Sequence, residues 1–301
     1  MENQLLEQMT DLKQLAVPEG LDGSRADVGI AKLLGISRNR AAELINSGSA
    51  SQSGVALQKS DSLVSGAWLE ISLEPKIDHL EVLPVLVSDF KIVYQDTDLV
   101  VVDKPAGVAA HPSVGWDGPT VPGALLALGI SVATSGAQER QGIVQRLDVG
   151  TSGLMVVAKS EVAYSRLKQA FRDRRVHKVY HAVIQGLPDP LSGTMDAPIG
   201  RHPKADFKFA VLPTGKPSVT HYELIEAFPS ASLVEVILET GRTHQIRVHF
   251  SAFRHPLVGD TMYGADPNLA KRLHLDRQWL HAVRLGFEHP TSGDTLTIES
   301  S

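Results

Sequence analysis

Ile143-Val-Gln-Arg-Leu-Asp-Val-Gly-Thr-Ser-Gly-Leu-Met-Val-Val-Ala-Lys159 is the stretch whose reading decides the fold. Leu154, Val156 and Val157 favour a strand, while Gly150 and Gly153 supply backbone freedom that a residue with a Cβ resists. The pattern predicts apolar strand, tight turn, apolar strand. On extended backbone Arg146 and Asp148 stand two apart and point to one face, which puts a guanidinium beside a carboxylate at the mouth of the turn. An aspartate in a turn usually serves local hydrogen bonding; the surroundings of Asp148 make it a candidate for chemistry. Between Arg140 and Tyr180 the basic residues Arg140, Arg146, Lys159, Arg166, Lys168, Arg172, Arg174, Arg175 and Lys178 face only Asp148, Glu161 and Asp173. A solvated helix face accounts for Arg166 to Arg175 taken alone, whereas adjacency to Asp148 points to a phosphate-binding rim.

Working outward, a chain of 301 residues with 43% hydrophobic and 21% charged residues is ordinary globular material, long enough for about two domains. The absence of cysteine excludes a disulfide framework and thiolate metal sites, and suits a reducing compartment. The start, Met1-Glu-Asn-Gln-Leu-Leu-Glu, has neither a basic region nor an apolar run, so no secretory signal is expected. Nowhere do about 20 apolar residues run together, so no membrane partner is expected, and the expected address is the cytoplasm. A formal net charge of -5 argues against indiscriminate nucleic-acid binding and leaves weight on the local basic block.

Along the chain, residues 1–19 read as a loosely ordered leader. A small unit over 20–75 follows, with two helices and a small sheet. In the first helix Val28, Ala31 and Leu33 or Leu34 form the stripe, and Gly35 stops it. Ser37 is the expected N-cap of the second, which turns Ala41, Leu44 and Ile45 inward and Arg38 outward. Short strands are expected around Gly54-Val-Ala-Leu57 and Ala67-Trp-Leu-Glu-Ile71. Pro75 and Pro84 bracket a linker over 76–91. A larger domain spans 92–301, opening with two strands around Asp96-Thr-Asp98. Residues 114–141 read mostly as a surface loop with one short helix near Ala124–Leu128. Ser160 is the expected cap of a helix burying Ala163, Leu167, Ala170 and Phe171. Val176–Gly186 reads as a strand placing Lys178, Tyr180 and Ala182 on one side. An apolar strand over Leu233–Leu238 precedes a turn at Gly241. Beyond it Gln245, Arg247 and His249 alternate as on another strand, and an inward Arg247 requires a carboxylate partner, for which Asp148 is the natural choice.

Four groups of residues resemble motifs of one family. Gln145-Arg146-Leu147-Asp148, two residues, then Thr151-Ser-Gly-Leu154 resembles the signature of the RluA-type RNA pseudouridine synthases, with glutamine where the family shows histidine. Lys104-Pro-Ala-Gly with His111-Pro, Lys178-Val-Tyr180, and Glu239-Thr-Gly-Arg-Thr-His-Gln-Ile-Arg247 through Asp260 resemble its other motifs. Leu21–Leu73, with Arg25, Arg38, Ile45-Asn-Ser-Gly48 and Gly66-Ala-Trp-Leu-Glu-Ile71, resembles the small RNA-binding domain of S-four type. The implied fold is α+β: a catalytic domain built on a mixed, mostly antiparallel sheet with flanking helices and loops, plus the small N-terminal RNA-binding domain. The resemblance implies isomerisation of uridine to pseudouridine in RNA, with large-subunit ribosomal RNA favoured over transfer RNA. It implies Asp148, Tyr180 and Arg247 as catalytic residues, and Arg146, Lys178, Arg242, His244, Arg38 and Arg40 as RNA contacts. The reaction is redox-neutral, so neither cofactor nor metal is expected, and a monomer is expected.

Other readings are weaker. Asp148-Val-Gly-Thr imitates a sugar-kinase phosphate loop, but it falls mid-chain with no second phosphate motif. Ser152 is not within Gly-x-Ser-x-Gly. His244, His249 and His255 lack a metal-site spacing such as His-Glu-x-x-His. A catalytically silent member of the fold is opposed by the presence of Asp148, Tyr180 and Arg247 together.

Overall fold

Leu99-Val-Val-Val102 is buried at all four positions, which a strand achieves only where both faces of its sheet are covered. In the computed structural model, which describes residues 11–36, 38–73, 82–113, 115–136, 140–205 and 207–300, this strand belongs to the larger of two units, Met1–His79 and Leu80–Ser301.

The smaller unit contains strand β1 (Asp11–Ala16), helices α1 (Ala26–Leu34) and α2 (Arg38–Asn46), and strands β2 (Ala50–Gln52), β3 (Val55–Ala56) and β4 (Trp68–Leu73). Its sheet runs β1-β4-β2-β3, every pair antiparallel. Ala26, Ile30, Ala41, Leu44 and Ile45 from the helices pack on Leu63, Leu69 and Ile71. The expected leader over 1–19 is corrected over its described part, residues 1–10 lying outside the described residues: β1 pairs with β4 from Asp11↔Leu73 to Ala16↔Trp68, and Val17 is buried. Its partner lies more than fifty residues on, so nothing local announces the strand. The expected stripe of α1 is also rotated. Val28 stays half-exposed while Ala26 and Ile30 are buried, because Leu63 closes on Gly29, where a Cβ would collide with it. Gly35 caps α1 in the left-handed conformation as expected. Ser37 and linker residues 76–81 lie outside the described residues.

The larger unit contains β5 (Lys91–Gln95), β6 (Leu99–Lys104), α3 (Val121–Ala127), β7 (Ser152–Ala158), α4 (Glu161–Arg172) and β8 (His177–Gln185). Then come β9 (Ser192–Asp196), β10 (Ile199–Arg201), β11 (Phe209–Val211), β12 (Val219–Ala227), β13 (Ala231–Leu238), α5 (Gln245–Ala252), α6 (Pro267–Arg272), β14 (Leu280–Glu288) and β15 (Thr295–Glu299). Its main sheet has the order β5-β6-β7-β14-β8-β13-β12-β9, with β15 added beside β14. The β7–β14 pair is parallel, and the other pairs are antiparallel. Side-chain alternation makes two cores. Val100, Val102, Met155, Val157, Tyr180 and Ala182 meet Val121 and Leu125 of α3 and Ile246 and Phe250 of α5. Leu99, Val101, Leu154 and Val156 meet Ala163, Leu167 and Ala170 of α4. Ser160 caps α4 as expected, its hydroxyl accepting from the Ala163 N–H.

Two expectations fail here for identifiable reasons. The approach to the central turn, residues 144–148, is not a strand; only Ile143 makes a bridge, to Val157, and beyond it the contacts run through side chains, Gln145 donating to the Leu154 carbonyl and Asp148 accepting from Arg247. The segment 114–141 is mostly loop with one short helix, as expected, although the helix starts three residues earlier than the sequence suggests. α3 begins at Val121, where Thr120 caps it and Pro122 lies in its first turn, and it buries Val121 through Leu125. Most consequential, Gln245, Arg247 and His249 lie on α5. This helix is buried on every side, from Gln245 to Phe250, so it shows none of the one-sided patterning by which a surface helix is recognised.

Gly153 shows how closely the central turn is held. Its φ is +112, and a Cβ there would stand inside the backbone of Ala282 on β14. At Gly150 a Cβ would come within 2.7 Å of the Gln278 side-chain amide, which would have to shift. Gly153→Ala is expected to cost at least about 2 kcal/mol from strain and overpacking together. A urea unfolding midpoint equal to that of the wild type would show that the β7–β14 contact yields readily.

Candidate active site

The residues after Asp148 are held one by one. The Val149 carbonyl accepts from the Gly107 N–H at 2.9 Å and faces the Lys104 ammonium at 3.4 Å; the Gly150 carbonyl accepts from Arg277 at 3.1 Å. The Thr151 hydroxyl accepts from Gln278 at 3.1 Å, and Ser152 shares a hydrogen bond with His281 Nδ1 at 2.9 Å. Lys104 is fully buried, and also donates to the carbonyls of Val108 at 2.8 Å and Pro105 at 3.1 Å. Burial pushes its ammonium down to about 7; the Asp148 charge opposes that shift and the Arg277 charge adds to it. The backbone of the turn is thus fixed by β6, the loop after it, and the segment leading into β14.

Asp148 meets the guanidinium that the sequence proposed for it, but Arg247 has a second acid. Arg247 Nη1 donates to Asp148 Oδ2 at 3.0 Å, while Nε and Nη2 make a two-point contact with Asp260 at 2.6 and 3.0 Å. Arg247 is 6% exposed and Asp260 2%. Burial works against the charge on Arg247, yet the hydrogen bonds to Asp260 and the field of Asp148 outweigh it and raise its pKa above the ordinary value. The Tyr263 ring lies 4.9 Å from the guanidinium carbon and completes the clamp.

His244 stands at the N-terminus of α5 with φ +57, a left-handed conformation rare for a residue with a side chain. The Tyr263 hydroxyl accepts from the Phe209 N–H and shares a hydrogen bond with His244 Nδ1 at 2.7 Å. Nε2 then faces Asp148 Oδ2 at 3.7 Å. Burial lowers the pKa of the ring, with Asp148 opposing, so the imidazole is neutral at pH 7. Both neighbours approach Oδ2. Among the described residues Asp148 Oδ1 has no hydrogen-bond partner, and it is left for whatever enters the site.

A small recess of about 60 Å³ carries Asp148, Tyr180, Arg146, Arg242, His244 and Arg247 on its walls. It adjoins an open cavity of about 490 Å³ that shares Arg146, Tyr180 and Arg242 and adds Arg140, Arg172, Arg174 and Lys178. Tyr180 stands between the two and is 8% exposed. Burial, with the Asp148 charge adding to it, pushes its phenol above the ordinary range, so it is protonated at working pH. Gln145, at the position where histidine was expected, donates to the Leu154 carbonyl at 3.4 Å.

The structure therefore brings together Asp148, Tyr180, Arg247, Arg146, Arg242, His244 and Lys178. Arg38 and Arg40 belong to the smaller unit, where Arg38 donates to the buried Asp27 at 2.9 Å and Arg40 to Glu43 at 3.2 Å. His249 and His255 turn elsewhere, His249 to Thr220 and the Ala197 carbonyl and His255 to the Gln185 carbonyl. Among the described residues no group of three or more histidines and acids could hold a metal ion. Sequence reasoning missed Asp260 as the second partner of Arg247, and it missed Arg277, Gln278 and His281 as supports. Asp260 was legible only as a motif residue, and the other three carried no local signal.

A nucleophile-sized recess beside a cationic trough, on a mixed sheet, defines an enzyme acting on a polyanion, and comparison with known proteins gives its class. Residues 98–252 match the family model described as RNA pseudouridylate synthase. An uncharacterized RNA pseudouridine synthase of Mycobacterium bovis is 58% identical over 96% of this chain and 94% of its own length. The ribosomal large subunit pseudouridine synthase D of Neisseria meningitidis is 39% identical over 95% of this chain and 78% of its own. Among solved structures, human RNA pseudouridylate synthase domain containing 1 superposes with a TM-score of 0.59 at 29% identity, covering 72% of this chain and 85% of that one. The chain belongs to the RNA pseudouridine synthase family, whose members are isomerases acting on RNA.

Arg247→Ala leaves Asp260 buried without its partner. Breaking a buried pair in this way costs about 3–5 kcal/mol, so the variant should melt well below the wild type and lose activity. An unchanged melting temperature would show that Asp260 does not depend on the guanidinium.

Proposed function

We propose that Asp148 is the reacting group of this synthase, and that it acts through Oδ1. The carrying observation is that Arg247 and His244 both address Oδ2, which fixes the carboxylate while leaving its other oxygen open to the recess. In the reaction the bond from ribose C1′ to uracil N1 breaks with its electron pair going to the base. The base turns, C5 bonds to C1′, the C5 proton leaves, and N1 is protonated. An ionised carboxylate serves at the sugar either as nucleophile at C1′ or as base for the neighbouring proton. Tyr180, kept protonated, forms a rigid wall for the detached base. The uridine must leave its stack to reach the recess, at a cost of a few kcal/mol. Arg146, on the shared wall, takes the vacated space or the phosphate, with Lys178 and Arg242 beside it and His244 behind the carboxylate.

Large-subunit ribosomal RNA is the substrate this reading favours. It is supported by likeness over 95% of the chain to a relative named for that role. The smaller unit is read as an S-four-type RNA-binding domain, with Arg38 and Arg40 near the start of α2 as its phosphate contacts. Its two helices on a small antiparallel sheet support that assignment. The cysteine-free composition supports a cytoplasmic address.

Asp148→Asn should abolish tritium release from RNA labelled at uridine C5 while the protein still binds RNA; release near the wild-type rate would remove Asp148 from the mechanism. Mapping pseudouridines with and without the gene tests the substrate. A site lost from large-subunit ribosomal RNA is expected, and one lost only from transfer RNA would replace that assignment.

A further inference from the structure

The outer cavity holds more positive charge than a single flipped nucleotide can neutralise. Arg140, Arg146, Arg172, Arg174, Lys178 and Arg242 line it against one carboxylate, Glu239, which is engaged with His221 at 2.8 Å. Asp148 is not on its walls, so the cavity lies beside the reaction recess rather than forming it. Arg172 ends α4, Arg174 sits in the turn that follows, and Lys178 begins β8 on the same face as Tyr180. Arg174 holds φ +59, a conformation unfavourable for a residue with a side chain, in a turn that brings its guanidinium to the cavity. Among the described residues neither Arg174 nor Lys178 has an ion-pair partner.

We propose that Arg172, Arg174 and Lys178 form a wall that binds the phosphates of the nucleotides flanking the flipped-out uridine, and that Lys178 takes up a proton as the RNA docks. The inference rests on the synthase reading and names how that site holds its polyanion. Without RNA the wall repels itself: burial first, and the Arg174 charge second, push the Lys178 ammonium down to about 8. The other charges facing Lys178 are Arg172, Arg242, Arg140, Arg146 and the engaged Glu239, while Tyr180 is uncharged. A phosphate arriving beside the amine favours its charged form. Near pH 8 part of the Lys178 population is neutral in the free protein, so docking draws a fraction of a proton per complex. The sign follows: affinity is insensitive to pH well below 8 and falls as pH rises above it.

The test uses the full-length protein and a short single-stranded oligouridine. Arg172→Gln with Arg174→Gln should bind more weakly, and the slope of log affinity against log salt should flatten by about 1.4, two contacts at about 0.7 each for single strands. A wild-type slope overturns the wall. Calorimetry at pH 8 in two buffers of different ionisation heat should show proton uptake by the wild type and none by Lys178→Arg, whose guanidinium is charged beforehand. Equal uptake by Lys178→Arg, or none by the wild type, overturns the role of Lys178, and RNA binding by Lys178→Arg shows that its fold survives. Tritium release from uridine C5 keeps the two readings apart. Wild-type protein that releases tritium, beside a double variant with an unchanged salt slope, overturns the wall and leaves the synthase assignment standing.

Discussion

A guanidinium taken out of water must be met by carboxylates, and Arg247, 6% exposed, is met by two. Asp260 takes two of its nitrogens and is itself more deeply buried, so that pair forms the fixed half of the clamp. Asp148 takes the remaining edge and is partly open to the recess. An oppositely charged, hydrogen-bonded contact restrains a carboxylate in one rotamer without enclosing it. The arrangement leaves one oxygen anchored and one available, which is the condition a reacting carboxylate has to satisfy.

The constraint propagates outward through α5. Arg247 can reach both acids because it lies on a helix whose neighbours Ile246 and Phe250 are locked into the main core and whose Val248 packs with Ile199 and Tyr263. On the other side of the clamp, Asp148 keeps its place because the carbonyls and hydroxyls of the next four residues are taken by Gly107, Lys104, Arg277, Gln278 and His281. A residue that must be held within a fraction of an ångström is here supported by rigid elements and a second layer of hydrogen bonds.

Much of this was legible in the sequence, for reasons that can be named. Strands with period-two burial, such as His177–Gln185, and helices with a capping serine and a one-sided stripe, such as Glu161–Arg172, declare themselves locally. The pairing of Asp148 with Arg247 followed from the cost of burying an arginine alone. Elements defined by distant partners stayed hidden. Asp11–Ala16 is a strand because Trp68–Leu73 receives it, and Gln245–Ala252 is a helix although its residues alternate as a strand's would. Complete burial erased its amphipathic signal. The supports of the central turn escaped for a related reason: Lys104 and Arg277 act on backbone carbonyls and Gln278 and His281 on the Thr151 and Ser152 hydroxyls, and the sequence around such a group does not reveal what will meet it.

If Asp148 is the reacting group, Asp260, Arg247 and Asp148 act as one unit, with Asp260 working through the guanidinium rather than directly. A double-mutant cycle on tritium release from uridine C5 measures this, using Asp260→Asn, Arg247→Lys and the two combined. Residues in one hydrogen-bonded network couple by about 0.5–3 kcal/mol, so the combined variant should be scarcely slower than the worse single variant. Rate losses that multiply, with no coupling between the two positions, would show that Asp260 and Arg247 act separately and would contradict the clamp.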